Sequence, residues 1–136
     1  MKPPAGYQER AHTADWELEV WAPDLPGLFE QAARGMASLS GVQLQPAPRQ
    51  SRRLELDAID AESLLVRFLE ELLYLQSAEG LAFDVFRLGF QEWRLQADLE
   101  GAPLAHLDKE IKAVTFHNLK VQASERGWEV RIVFDV

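Results

Sequence analysis

Two aspartates stand where the pattern of the chain does not call for them. Asp15 precedes the alternating run Trp16-Glu17-Leu18-Glu19-Val20, and Asp135 follows another, Val130 to Phe134. Aspartate is a poor strand residue, so each is either a turn cap or a ligand. If the two strands are antiparallel neighbours, the entrance of one and the exit of the other share a sheet edge. Two carboxylates brought together there repel unless a cation or a proton lies between them. A donor set made only of oxygen suits Ca²⁺, Mg²⁺ or Mn²⁺. Pattern alone leaves both readings open.

The other chemistry-bearing residues have plainer alternatives. Asp60 precedes an apolar helical stripe and reads first as a helix N-cap, with a ligand role compatible with capping. Lys112 opens the stretch Ala113-Val114-Thr115-Phe116-His117. It is a solvated strand residue or, beside paired carboxylates, an anchor for an acidic group or a phosphate. Glu70 and Glu71 lie next to an apolar stripe and read as solvent-facing. The three histidines, His12, His106 and His117, have no i, i+3 or i+4 relation to one another, so a zinc-peptidase motif is absent. The glycines form no phosphate loop, no serine sits in a nucleophile elbow, and there is no cysteine.

The elements that must position these residues follow from periodicity. Residues 16–22 alternate and predict a strand. Asp24 as N-cap, Pro26 in the first turn and Gly41 as the stop bound a helix whose apolar stripe is Leu25, Leu28, Phe29, Ala32, Ala33, Met36 and Leu39. Residues 43–50, with Pro46 and Pro48, read as a loop. A strand is expected from Arg52 to Ile59, then a second helix from Asp60 to Gly80 on Leu64, Leu65, Phe68, Leu69, Leu72 and Leu73. Leu81 to Phe90 and Glu92 to Glu100 predict two more strands, the second with Trp93, Leu95, Ala97 and Leu99 on one face and broken by Gly101-Ala102-Pro103. Residues 104–110 read as a polar connection. Ile111 to Ser124 reads as one long strand or two joined by a kink, Glu125-Arg126-Gly127 as a hairpin turn, and Trp128 to Phe134 as the closing strand. Residues 1–6 read as a frayed lead-in. The class is α+β: two amphipathic helices packed on a mostly antiparallel β-sheet, in one domain spanning 1–136.

Composition agrees and narrows the partners. Hydrophobic residues make up 47% of 136, enough for a core. The formal net charge is −8, from 22 acidic and 14 basic residues. Such a chain repels a phosphate backbone on average and suits a divalent cation or a basic, nucleic-acid-handling partner. No apolar run reaches the length of a membrane span, and the start lacks a signal-peptide core. The expected location is the cytoplasm.

Four segments together resemble the archease family: His12-Thr13-Ala14-Asp15, the run Leu64 to Tyr74 (LLVRFLEELLY), Glu110 to His117 (EIKAVTFH), and the terminal Phe134-Asp135-Val136. Their order and spacing cover nearly the whole chain. The resemblance implies an α+β protein that activates an RtcB-type RNA ligase in tRNA splicing or RNA repair. Such a helper promotes guanylylation of the ligase's own histidine and repeated turnover, broadens its nucleotide use, and meets RNA only through the ligase. It implies no catalytic activity of its own and a divalent cation, often calcium, held by Asp15, Asp135 and a main-chain oxygen of Val136. Val136 is the last residue here, so that oxygen would belong to a carboxylate. Lys112 carries over as a functional candidate, and His12 as a family marker with a structural or ligand-supporting role. Two positions depart from the family pattern: Trp16 replaces a smaller aliphatic residue, and Glu70 replaces the Asn of a common Leu-Asn-Glu. Two other classes stay in view: a general chaperone or interaction module with a structural metal, and a small metal-dependent hydrolase, which lacks an evident nucleophile or tuned base.

Overall fold

The structure is a computed structural model and describes residues 4–10 and 16–136. In chain order the elements are β1 (Gly6–Arg10), β2 (Trp16–Ala22), α1 (Leu25–Ser40), β3 (Gln43–Leu44), β4 (Gln50–Asp57), α2 (Ala61–Glu79), β5 (Leu81–Gln91), β6 (Arg94–His106), β7 (Ala113–Val114), β8 (Gln122–Ser124) and β9 (Gly127–Asp135). The fold is α+β with antiparallel pairing throughout, but the strands form two sheets rather than one. The first runs β1-β2-β9, with β7 and β8 both pairing the far edge of β9. The second centres on β6, flanked by β5 on one side and by β4 and β3 on the other.

Both helices are bounded as their sequences dictate. Asp24 and Asp60 are extended N-caps whose carboxylates accept the amides of Gly27 and Ser63, each at 2.8 Å. Gly41 and Gly80 close the helices in the left-handed region, at φ 68° and 61°. The helices bridge the two sheets: α1 packs on β1, β2 and β9 and on β5, while α2 packs on β4, β5 and β6 and on β7. Their apolar faces meet Leu18, Val20, Val130, Ile132 and Phe134 from one sheet and Leu95, Ala97 and Leu99 from the other. At the centre, Phe29 of α1 lies 5.9 Å from the ring of Phe68 on α2 and edge-on to Phe90 of β5 at 4.9 Å.

Several expectations need correction. Of the lead-in expected to fray at 1–6, residues 1–3 lie outside the described residues, and from its last residue, Gly6, a strand that the sequence does not announce runs to Arg10. Its polar sequence gives no alternating signal, and β2 supplies the edge that orders it. Within the stretch 43–50 read as a loop, Gln43–Leu44 is a short strand. β6 does not stop at Gly101-Ala102-Pro103 but continues to His106. Proline is tolerated because Pro103 lies where the edge of β6 passes from β4, ending opposite Gly101, to β3, beginning opposite Leu104. Its carbonyl accepts Gln45 N on that side, and no strand needs the missing N–H. Gly101 is required, since a Cβ there would fall on the Ala82 carbonyl oxygen. Trp93 is not a core-facing strand residue. It sits in the β5–β6 turn after Glu92, whose φ is 54°, and it is exposed. Finally, of the two readings of Ile111 to Ser124 the single long strand is absent and the broken one is nearer: the stretch is a strap carrying the short strands β7 and β8, with a turn between them.

The outer face of the first sheet explains how Glu19 can be only 9% exposed. Arg126 Nη2 donates to Glu19 Oε1 at 2.7 Å, and the guanidinium of Arg10 donates to Oε2. Arg126 also binds Glu129 and lies 4.2 Å above the Trp21 ring. The Arg126 hydrogen bond, then Arg10, outweigh burial and hold the Glu19 carboxyl below its ordinary value of 4.5. A depressed carboxylate contributes stability that is complete above the unfolded value and is lost as pH falls through the folded one. Thermal unfolding from pH 7 to pH 3 should therefore show Glu19→Gln less stable than the parent at neutral pH. The gap should close below about pH 4.5.

Candidate functional site

β2 and β9 are antiparallel neighbours, the condition on which a shared Asp15–Asp135 site depends. Trp16 pairs with Phe134, Leu18 with Ile132 and Val20 with Val130. Trp16 is the covalent neighbour of Asp15, and Phe134 that of Asp135. Asp15 and His12 themselves lie outside the described residues. Asp135 is the last residue of β9 and is exposed, and Val136 beyond it is half-buried. The Asp135 carboxylate has no ion pair among the described residues.

The strap brings Lys112 to the same place. Its backbone N–H donates to the Asp135 carbonyl at 2.8 Å, and its side chain is exposed. Ala113 pairs with Asp135 and Val114 with Phe134. Thr115 then fastens to Val133, its N–H and its Oγ1 both donating to that carbonyl at 3.0 Å. After Thr115 the chain turns through Phe116 to Leu119, with Leu119 N donating to Phe116 O and Asn118 at φ 52°. Phe116 at the tip is 59% exposed.

Asp60 belongs elsewhere. Its carboxylate is engaged by Ser63, whose backbone amide first, and hydroxyl second, hold it below the ordinary aspartate value. It caps α2, as the capping reading expects. His106 lies with Asp108, Nε2 to Oδ1 at 2.5 Å, on an exposed strand end. Among the described residues no group of three or more His, Asp or Glu forms a metal cluster.

Glu70 is the residue that sequence reasoning misplaced. It is not a solvent-facing charge: it is half-buried, and its Oε1 accepts the backbone N–H of Val114 at 2.8 Å. Glu62, which the sequence did not single out, does the same for Val121 through Oε2 at 2.8 Å. Neither contact leaves a sequence signal, because each joins a helix carboxylate to an amide 44 or 59 positions away.

The chain matches the model of the Archease protein family (MTH1598/TM1083) over residues 7–136. It belongs to the archease family. Protein archease of Thermococcus gammatolerans is 32% identical over 139 residues, covering 96% of this chain and 98% of its own. That of Methanosarcina acetivorans is also 32% identical, over 96% of this chain and 95% of its own. The solution structure of Methanobacterium thermoautotrophicum protein 1598 superposes with a TM-score of 0.70 at 24% identity, covering 96% of this archease and 99% of that chain. A Thermotoga maritima structure, described as an archease and possible chaperone, gives 0.69 at 21% identity, over 100% and 98%. At those identities the two structures speak for the fold alone. Among the described residues of this archease, no helix is long and apolar enough to cross a membrane.

Proposed function

We propose that this archease is a non-catalytic activator of an RtcB-type RNA ligase, acting in the cytoplasm in tRNA splicing or RNA repair. It would promote guanylylation of the ligase and repeated turnover, and meet RNA through the ligase. The observation that supports the reading is the β2–β9 register, which pairs Trp16 with Phe134, the chain neighbours of Asp15 and Asp135, while the Lys112 N–H donates to the Asp135 carbonyl.

The donor chemistry fits a hard divalent cation. Asp135 offers a carboxylate without an ion partner among the described residues, and Val136 and Asp15 add oxygens only. The carbonyl of Asp135 accepts the Lys112 N–H, and its exposed side chain is the group offered to the ion. Calcium is the first choice, with magnesium and manganese compatible. When bound, such an ion supplies positive charge that neutralises carboxylates and phosphoryl oxygens. The chain's own part is to hold the two strand ends in register, to keep Lys112 exposed beside them, and to place an acidic surface against a partner that handles RNA.

The deciding experiment is multiple-turnover RNA ligation by an RtcB-type ligase with and without this archease. Turnover beyond one product per ligase only when it is present supports activation, and equal turnover defeats it. A second reading, a general chaperone, draws on the description of the Thermotoga relative and on the exposed Phe116 and Tyr74. Suppression of aggregation of unrelated proteins, without an effect on ligation, would favour it.

A further inference from the structure

We propose that Glu62 and Glu70 of α2 are positioning residues for the cation site, acting through the 111–121 strap; the inference rests on the cation reading above. β7 is two residues long and lies at a sheet edge. One side of the strap here faces β9, where Lys112 and Thr115 donate to Asp135 and Val133. The other side has no strand, so the Val114 N–H would be left without a partner where the strap lies against α2. Glu70 supplies that partner. Beyond the turn at 116–119, Val121 N–H meets Glu62. Two carboxylates eight residues apart on one helix, about 12 Å along its axis, thus stand in for a missing edge strand. Both bonds are charge-assisted.

The consequence reaches the site in one step. Val114 pairs with Phe134, which pairs in turn with Trp16 on its other side. The next pair along β9 is Ala113 with Asp135. Holding Val114 to α2 therefore holds the row beside Asp135 and the residue two positions after Lys112. The side chains of Lys112 and Phe116 stay exposed while the backbone beneath them is tied to two elements.

Reach and charge can be separated at residue 70. Glu70→Gln keeps an acceptor oxygen at the same distance and removes the charge, whereas Glu70→Asp keeps the charge and shortens the reach by one methylene. Calcium titration calorimetry on the whole chain, with amide exchange of Val114 followed by NMR, reads both. Positioning predicts calcium affinity within about threefold of the parent for Gln. For Asp it predicts a loss of tenfold or more, the range typical when a residue that orients a metal ligand is altered, together with faster Val114 exchange. Glu62→Asp should act in the same direction with a smaller loss, and Glu71→Gln, on a carboxylate without a strap bond, should change nothing. The reverse order at residue 70, Gln weak and Asp normal, would mean that Glu70 acts as a bare charge and overturns the proposal. So would parent-like affinity in Glu70→Asp when Asp135→Asn has lost binding, an outcome that leaves the cation site itself intact. Parent-like affinity in Asp135→Asn overturns the cation reading first and this inference with it.

Discussion

Asp135→Ala should return ligase turnover to the level seen without the archease, while the fold survives. The carboxylate lies at the exposed end of β9 with no ion pair among the described residues, so its removal empties no core space. A surface change of this kind alters stability by about 0.5 kcal/mol or less. The loss for the cation is of a different order. Asp135 is one of two side-chain carboxylates in the proposed donor set, and a hard divalent ion held by few protein oxygens depends steeply on each charge. Calcium affinity should fall by about two orders of magnitude, or about 2.7 kcal/mol at 1.36 kcal/mol per tenfold. Asp15→Ala should match it, because the proposed site shares the ion between both. Lys112→Ala should leave cation binding in place and lower turnover, since only its backbone touches Asp135. The measurements are calcium titration, thermal unfolding and multiple-turnover ligation on the same preparations. Undiminished turnover in both aspartate variants would sink the cation-dependent mechanism, even with the family assignment intact.

What could be read from the sequence, and what could not, divides along the range of the interactions. Asp24, Pro26 and Gly41, and likewise Asp60 and Gly80, act within a few residues of themselves, and the helix limits they predict are the ones observed. The alternation of Leu18, Val20 and Ala22 reports one buried face, and β2 follows it. The errors and omissions lie where a distant partner decides. β1 is ordered by β2 and not by its own polar residues. β6 survives Pro103 only because two different strands share its edge. The strap looks like one strand because Leu119 and Val121 pack on the core, yet its amides are shared among β9, α2 and a turn. The same division runs through the site. Asp135 was legible as an ill-fitting strand residue. Glu70 was misread because its acceptor role depends on an amide 44 positions away. One sheet was expected where two form, since alternation tells which face of a strand is buried but not which strands share a ladder.

Phe29→Ala should cost more stability than any surface change considered above. Its ring is fully buried and sits between α1, α2 and β5, touching Phe68 at 5.9 Å and Phe90 edge-on at 4.9 Å. Three backbone elements hold the walls of the space it would vacate, so collapse into it is limited. Truncating a buried Phe typically costs about 3–5 kcal/mol, through lost transfer energy and a residual cavity. Against a whole-domain stability of about 5–15 kcal/mol, that removes a large fraction. In urea the midpoint should drop with an unchanged slope, as expected for a change in stability without a change in exposed surface. Phe90→Ala, at a half-buried position, should cost less. The double variant should fall short of the sum by about 0.5–1.5 kcal/mol, the worth of the edge-on contact. A cost below about 1 kcal/mol for Phe29→Ala would mean that the helices do not depend on this cluster. The cluster also separates stability from function. Phe68 and Glu70 are two residues apart on α2, one facing the core and the other the strap. Below its lowered midpoint, Phe29→Ala should still bind calcium as the parent does, because the Glu70–Val114 bond and the β2–β9 register are untouched. A calcium affinity that fell in proportion to stability would instead make the core, and not the carboxylates of α2, the support of the site.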